Sequence, residues 1–189
     1  MTEKLISIVT PCYNEEGNVD ELYERVKAVM SGFDYQYEHI FIDNASTDDT
    51  SKKLRALVEQ DKQVKVIFNT RNFGHIRSPY YGLLQGSGDA VIIMASDLQD
   101  PPERIPDFIR QWQAGFKTVI GIKTKSREAG IFYLLRTMYY RVLRSLSDVE
   151  LIEHYTGFGL YDKKVIDILK GIGDPYPYFR GLIADIGFP

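Results

Sequence analysis

The sequence holds one cysteine, Cys12, among 189 residues. An internal disulfide is therefore excluded, and the composition suits a reducing compartment. Long apolar runs are also missing: no stretch approaches the roughly 20 residues that a membrane helix needs. The polar start after Met1 does not read as a signal peptide. Basic charge is not in excess, the formal net charge being −3, so nucleic acid is not the expected partner. No G-x-G-x-x-G follows the first apolar run, where Pro11-Cys12-Tyr13-Asn14-Glu15 stands instead. That argues against a dinucleotide-binding dehydrogenase. Repeats, low-complexity tracts and linkers are absent as well. What is present, 44% apolar and 26% charged residues, is the composition of a soluble globular chain. Its length suits one cytosolic domain over residues 1–189. The last stretch, Phe179 to Pro189, is apolar and structure-forming without a polar tail, as expected of a domain cut at its C-terminal end from a longer chain.

Apolar periodicity alternates between two kinds. Leu5 to Val9, Ile40 to Ile42, Val64 to Phe68, Ala90 to Ala95 and Thr118 to Ile122 read as five strands. Between them run helical patterns: Val19, Leu22, Val26 and Val29; then Leu54, Leu57 and Val58, capped by Ser46 or Thr47. Others pass through Tyr81, Leu84 and Gln85, after a loop from Asn69 to His75, and through Phe108, Ile109 and Trp112. Strands alternating with helices predict an α/β fold with a mostly parallel sheet sandwiched by helices.

The most informative stretch is Asp89 to Arg104. A β-branched run breaks off at Ser96 and Asp97, so carboxylates fall just past the C-terminal edge of a strand buried on both faces. Asp97 and Asp100, with Gln99 between them, are the hard oxygen donors that Mg²⁺ or Mn²⁺ accepts; an acidic turn capping a helix is the plainer reading. Pro101 and Pro102 suit the start of a helix at Glu103. Polar clusters close four successive strands: Tyr13-Asn14-Glu15, Asp43-Asn44, Arg71-Asn72 and Asp97 to Asp100. Four clusters on one rim predict one binding crevice.

Ile131 to Leu146 has an apolar face opposite Arg136, Arg141 and Arg144, just after Lys123, Lys125 and Arg127. It suits a core-packing helix with a solvated basic side, or an interfacial helix facing anionic lipid or a phosphate-bearing acceptor.

In order and spacing, Thr10 to Glu15, Ile42 to Asp48, Arg71-Asn72-Phe73-Gly74 and Asp97 to Glu103 resemble the family 2 glycosyltransferases. The resemblance covers nearly the whole chain and is nearest to the dolichol-phosphate mannose synthase and polyprenyl-phosphate glucosyltransferase branch. It implies the Rossmann-like GT-A fold, a nucleotide-sugar donor (UDP-sugar favoured, GDP-sugar allowed), Mg²⁺ or Mn²⁺, and inversion at the anomeric carbon. By the same resemblance Pro11, Tyr13, Glu15, Asp43, Asn44 and Arg71 serve the nucleotide. Asp97 and Gln99 hold the metal on the donor diphosphate, and Arg180 supplies a cation near the leaving group. The implied acceptor is a polyprenyl phosphate or lipid-linked glycan at the cytoplasmic face of a membrane, reached through segments beyond Pro189.

Three positions depart from the family pattern. Ala95 stands where the family has a first carboxylate, which predicts weaker metal affinity. Gly157-Phe158-Gly159 replaces Gly-Asp-Phe. Asn44 replaces a second Asp but keeps an oxygen acceptor. A phosphate acceptor is already anionic and needs no general base, and only Asp162 and Asp185 offer themselves as one. A nucleotide-sugar-binding module without turnover is the rival reading.

Overall fold

The computed structural model describes residues 4–122 and 155–188. The basic segment from Lys123 through Leu146 lies outside the described residues. Six strands form one sheet in the order β3-β2-β1-β4-β6-β5. They are β1 Leu5–Cys12, β2 Gln36–Asp43, β3 Val64–Phe68, β4 Ala90–Ile93, β5 Thr118–Ile122 and β6 Tyr155–Asp162. The helices are α1 Val19–Met30, α2 Thr50–Gln60, α3 Gly74–Gln85, α4 Ile105–Gln113, α5 Lys163–Ile172 and α6 Phe179–Ile186. β1 to β4 run parallel, and β6 runs antiparallel to both of its neighbours. The α/β, mostly parallel architecture read from the sequence is the one observed.

Strand side chains alternate between two cores, as a period of two requires. Ile6, Ile8, Phe41 and Ile92 face the larger core with α1, α2 and α4, while Val9, Ile40, Val91 and Ile93 face the smaller one with α3, α5 and α6. Helix α4 shows why these segments are helical. Ile105, Phe108, Ile109 and Trp112 recur every three or four residues, and all four are buried. Each such side chain contributes about 1.5–3 kcal/mol by leaving water.

Three expectations need correction. β6 was not foreseen, because Gly157 and Gly159 weaken its strand signature. Gly159 is required there: a Cβ would stand 3.0 Å from both the Tyr161 hydroxyl and the Val119 carbonyl. Neither Ser46 nor Thr47 caps α2, whose N-cap is Asp49. Pro102–Arg104 forms a 3-10 turn, and α4 starts only at Ile105.

Two of the buried polar residues, Glu38 and His39, are neighbours on β2. Glu38, 4% exposed, accepts hydrogen bonds from the Ser7 hydroxyl, the Ser87 hydroxyl and backbone N–H, and Lys65. Burial pushes its carboxyl up, but these donors outweigh burial and hold it down at about 2. His39, fully buried, sits 4.0 Å from the Phe41 ring with Nε2 3.0 Å from the Thr10 hydroxyl. Its Nδ1 has no hydrogen-bond partner among the described residues, and burial lowers the ring to about 3.

Acid should therefore destabilise the fold in two stages. Unfolded His39 takes up a proton near 6.5 while the buried ring resists until about 3, so stability is full above 6.5 and falls as pH drops through that window. Glu38 stabilises above 4.5, and that contribution disappears as pH falls towards about 2. Urea unfolding across this range should show the first stage abolished in His39→Met. Glu38→Gln should cost about 2–3 kcal/mol at neutral pH.

Candidate active site

Because β1 to β4 are parallel, their C-terminal ends share one rim. Cys12, Asp43 and Phe68 are level across β1, β2 and β3. A crevice of about 420 Å³ opens there. Pro11, Tyr13, Glu15, Asn44 and Asp97, five of the residues expected in the site, line it together with Asn72, Ala95 and Ser96. Asp43 lies beneath it, 1% exposed. Arg71, Gln99 and Arg180 are exposed and are not among its lining residues. Arg180 is the second residue of α6.

Asp97 is held out by its neighbours. The Ser96 hydroxyl donates to the Pro11 carbonyl at 2.9 Å, tying the end of β4 to β1. Leu98 packs on the larger core in a left-handed conformation, φ 58°. Asp97 thus faces the crevice, and its Oδ1 accepts the Gln99 N–H at 3.1 Å. Its other oxygen has no protein donor among the described residues. Arg25 braces the exit of this loop by a two-pronged contact to Glu103, at 2.9 and 2.7 Å.

The floor is a hydrogen-bonded latch. Asp43 accepts from the Ser46 N–H at 3.0 Å, the Ser46 hydroxyl at 2.6 Å and the Ser51 hydroxyl. Ser46 Oγ accepts the Asn14 N–H at 2.9 Å, and the Asn14 side chain accepts the Thr47 N–H at 2.8 Å. Asn14 and Ala45 have φ of 57° and 63°, left-handed values that the latch sustains. The sequence marked Asp43 but could not indicate Ser46 and Ser51 as its partners, since each hydroxyl is unremarkable alone.

Asn44 binds the next loop with its whole side chain. Oδ1 accepts from the Phe73 N–H at 2.9 Å and Asn69 Nδ2 at 3.1 Å, while Nδ2 donates to Asn72 Oδ1 at 2.8 Å and the Gly74 carbonyl at 3.3 Å. The amide donors matter as much as the oxygen acceptor that the sequence pointed to.

Cys12 is buried beside the crevice, and burial pushes its thiol up, so it stays protonated and unreactive. Asp162 is no general base. It pairs with Ala90 at the opposite rim, where it caps α5 and accepts from Trp112 Nε1 at 2.8 Å and Lys117 at 2.9 Å. Burial raises its carboxyl, but Lys117, Trp112 and the Lys164 N–H together hold it below its usual range. Asp185 is exposed on α6 and does not line the crevice. Phe158, at the variant glycine motif, packs in the larger core 4.5 Å from Phe108.

Among the described residues no three His, Cys, Asp or Glu side chains converge as a preformed metal site. The donor set still fits Mg²⁺ or Mn²⁺, which commonly take one or two carboxylates and complete their shell with water and substrate phosphates. Two carboxylate residues line the crevice, Glu15 and Asp97; Glu15 accepts from Asn18 Nδ2 at 2.7 Å, and Asp97 is the one that follows β4.

The model of the family described as glycosyl transferase family 2 matches residues 7–173. The chain belongs to this family. An uncharacterized family relative, the glycosyltransferase YkcC of Bacillus subtilis, is 37% identical over 184 residues, covering 96% of this chain and 57% of its own length. A bactoprenol glucosyl transferase of Shigella phage SfV is 31% identical over 183 residues, covering 96% and 60%. The chain thus spans somewhat over half the length of these relatives. Among solved structures, mannosyltransferase PcManGT from Pyrobaculum calidifontis, in complex with GDP-Man and Mn²⁺, matches with a TM-score of 0.60 at 19% identity, over 89% of this chain and 47% of that one. A glucosyl-3-phosphoglycerate synthase from Mycobacterium tuberculosis, in complex with Mn²⁺ and UDP-Glc, gives 0.59 at 22%, over 86% and 57%. The fold is GT-A, as the sequence motifs implied.

The Asn44 network makes a near-isosteric change informative. Asn44→Asp sets a carboxylate against the Asn72 side-chain and Gly74 carbonyl oxygens. Urea unfolding should register a loss of about 2–4 kcal/mol, with the Asn69–Gly74 loop gaining hydrogen exchange.

Proposed function

We propose that residues 1–189 are a single catalytic domain, within a longer chain, of an inverting glycosyltransferase. It moves a sugar from a nucleotide-sugar, a UDP-sugar in preference to a GDP-sugar, to a polyprenyl phosphate or lipid-linked glycan at the cytoplasmic face of a membrane. The observation that carries this reading is Asp97: a carboxylate with one oxygen free of protein donors, at the C-terminal end of a central parallel strand, in the crevice. The relatives named bactoprenol glucosyl transferase support the acceptor class, and the neighbours holding Mn²⁺ with nucleotide-sugars support the donor and metal. None of the described helices is long and apolar enough to cross a membrane, so contact with a lipid acceptor falls to surfaces or to further segments.

In this scheme Pro11, Tyr13 and Glu15 receive base and ribose, over the support given by Asp43 and Asn44. Arg71 meets the donor diphosphate. Asp97, with Gln99, holds the metal, which supplies Lewis-acid neutralisation of charge when bound. An acceptor phosphate oxygen attacks the anomeric carbon from the face opposite the nucleotide. The bond from that carbon to the diphosphate oxygen breaks, and its electron pair stays on the departing diphosphate. Arg180 would reach this charge by a shift of α6, stabilising it as it develops. An anionic acceptor arrives without a proton, which agrees with the far-rim location of Asp162.

A second reading, a nucleotide-sugar-binding module without turnover, draws on Ala95, which leaves one carboxylate, Asp97, in the motif after β4 where the family pattern has two. One set of measurements separates the two. Mn²⁺ alone should leave the melting temperature unchanged, because Asp97 is the only charged ligand beside Gln99, whereas UDP with Mn²⁺ should raise it by several degrees. Asp97→Ala should remove the Mn²⁺-dependent part and lower transfer by about 10²–10³-fold. Wild-type protein that binds UDP-sugars yet neither transfers nor hydrolyses them establishes the module.

A further inference from the structure

One arginine beside the crevice has no part in the scheme above. Arg77 of α3 stands 5.7 Å from the Phe73 ring centroid and 4.7 Å from that of Tyr176, in the loop between α5 and α6. Arg71 packs on the same Phe73 ring, at 4.2 Å. Neither guanidinium has a carboxylate partner among the described residues, and the hydrogen bond of Arg71 goes to the Asn72 carbonyl at 3.4 Å. Asn72, Gly74, His75 and Ser78 line the crevice, so Arg71, Phe73 and Arg77, interleaved with them in sequence, stand on its border.

A guanidinium packed on aromatic rings engages through its face, and its N–H donors project in its own plane, past the ring edges. Stacking therefore fixes Arg77 without using its donors. Two cations on one ring also repel, and anions approaching them relieve that repulsion. Exposed apolar and aromatic side chains neighbour Arg77 in α3 and in the Tyr176 loop: Ile76 is 50% exposed, Tyr81 51%, Tyr176 74% and Tyr178 59%, while the one carboxylate of that loop, Asp174, accepts the Tyr176 N–H at 2.8 Å. Tyr81 lies one helical turn beyond Arg77 on the same face. An oriented, unpaired cation bordered by exposed apolar side chains matches an amphipathic anion, a phosphate head on a hydrocarbon chain.

We propose that Arg77, held by Phe73 and Tyr176, binds the phosphate of a polyprenyl phosphate acceptor, and that Tyr81 and Tyr178 receive the first units of its chain. This rests on the lipid-phosphate reading above and divides two anions between two cations, Arg71 for the donor and Arg77 for the acceptor. Phe73 is the ring that both cations share.

The test uses full-length protein in detergent, titrated calorimetrically with farnesyl phosphate, farnesol, and UDP with Mn²⁺. Arg77→Gln should weaken farnesyl phosphate by about tenfold or more, the effect of losing a charge-assisted contact, while farnesol and UDP stay within about twofold. Arg71→Gln should do the reverse, weakening UDP and sparing farnesyl phosphate. Tyr176→Leu should reproduce the Arg77 effect in milder form, because the guanidinium loses its second ring. An Arg77→Gln protein that binds farnesyl phosphate like wild type overturns the phosphate site alone, as does one that loses UDP to the same degree. Wild-type protein that binds UDP with Mn²⁺ but not farnesyl phosphate overturns the lipid-phosphate reading itself, and the site with it.

Discussion

The rim of this fold depends on two consecutive side chains at the end of β2. Asp43 gathers Ser46 of its own loop and Ser51 of α2, and through Ser46 it holds the backbone of Asn14 after β1. Asn44 turns the other way and holds the loop after β3. β2 lies between β1 and β3 in the sheet, so its last residues are within reach of both flanking loops. Hydrogen bonds linked in a network, most of these partly buried, strengthen one another and are costly to break singly. Three loops from distant parts of the chain therefore form one rigid wall.

The opposite wall is built differently. Asp97 is positioned by one hydroxyl contact from Ser96 and by the packing of Leu98, without a comparable network beneath it. A preformed wall opposite a single strand-end carboxylate suits a ligand that brings the remaining charges with it. In the proposed scheme the rigid side receives the base and ribose, and the sparse side the phosphate-bound cation.

Much of the fold was legible because burial leaves a periodic trace. The five strands read from apolar runs all exist, and the buried faces of α1 and α4 carry the residues expected of them. β6 escaped because its glycines serve sheet packing and a backbone of positive φ at Gly157, neither of which has an apolar signature. The site was legible as a set of strand-end clusters, and the crevice collects Pro11, Tyr13, Glu15, Asn44 and Asp97. The roles beneath it were not. That Asn44 spends its donors on Asn72 and Gly74, or that Arg77 meets Tyr176, depends on loops brought together only by the finished sheet. Asp162 looked like a free carboxylate in sequence and is a helix cap tied to Trp112 and Lys117.

The position of β6 also bears on how the chain comes together in time. β5 is an edge strand whose sheet neighbour is β6, and β6 also supplies the second neighbour of β4. During synthesis β1 to β4 can assemble in order, but β5 emerges before the strand that attaches it to the sheet. Until Tyr155–Asp162 has left the ribosome, β4 is an open edge with four buried apolar residues, Ala90 to Ile93, ready to pair with any extended segment. Sheet closure is thus a late, long-range event, and the nascent chain passes through an interval in which its central strand is exposed to mispairing.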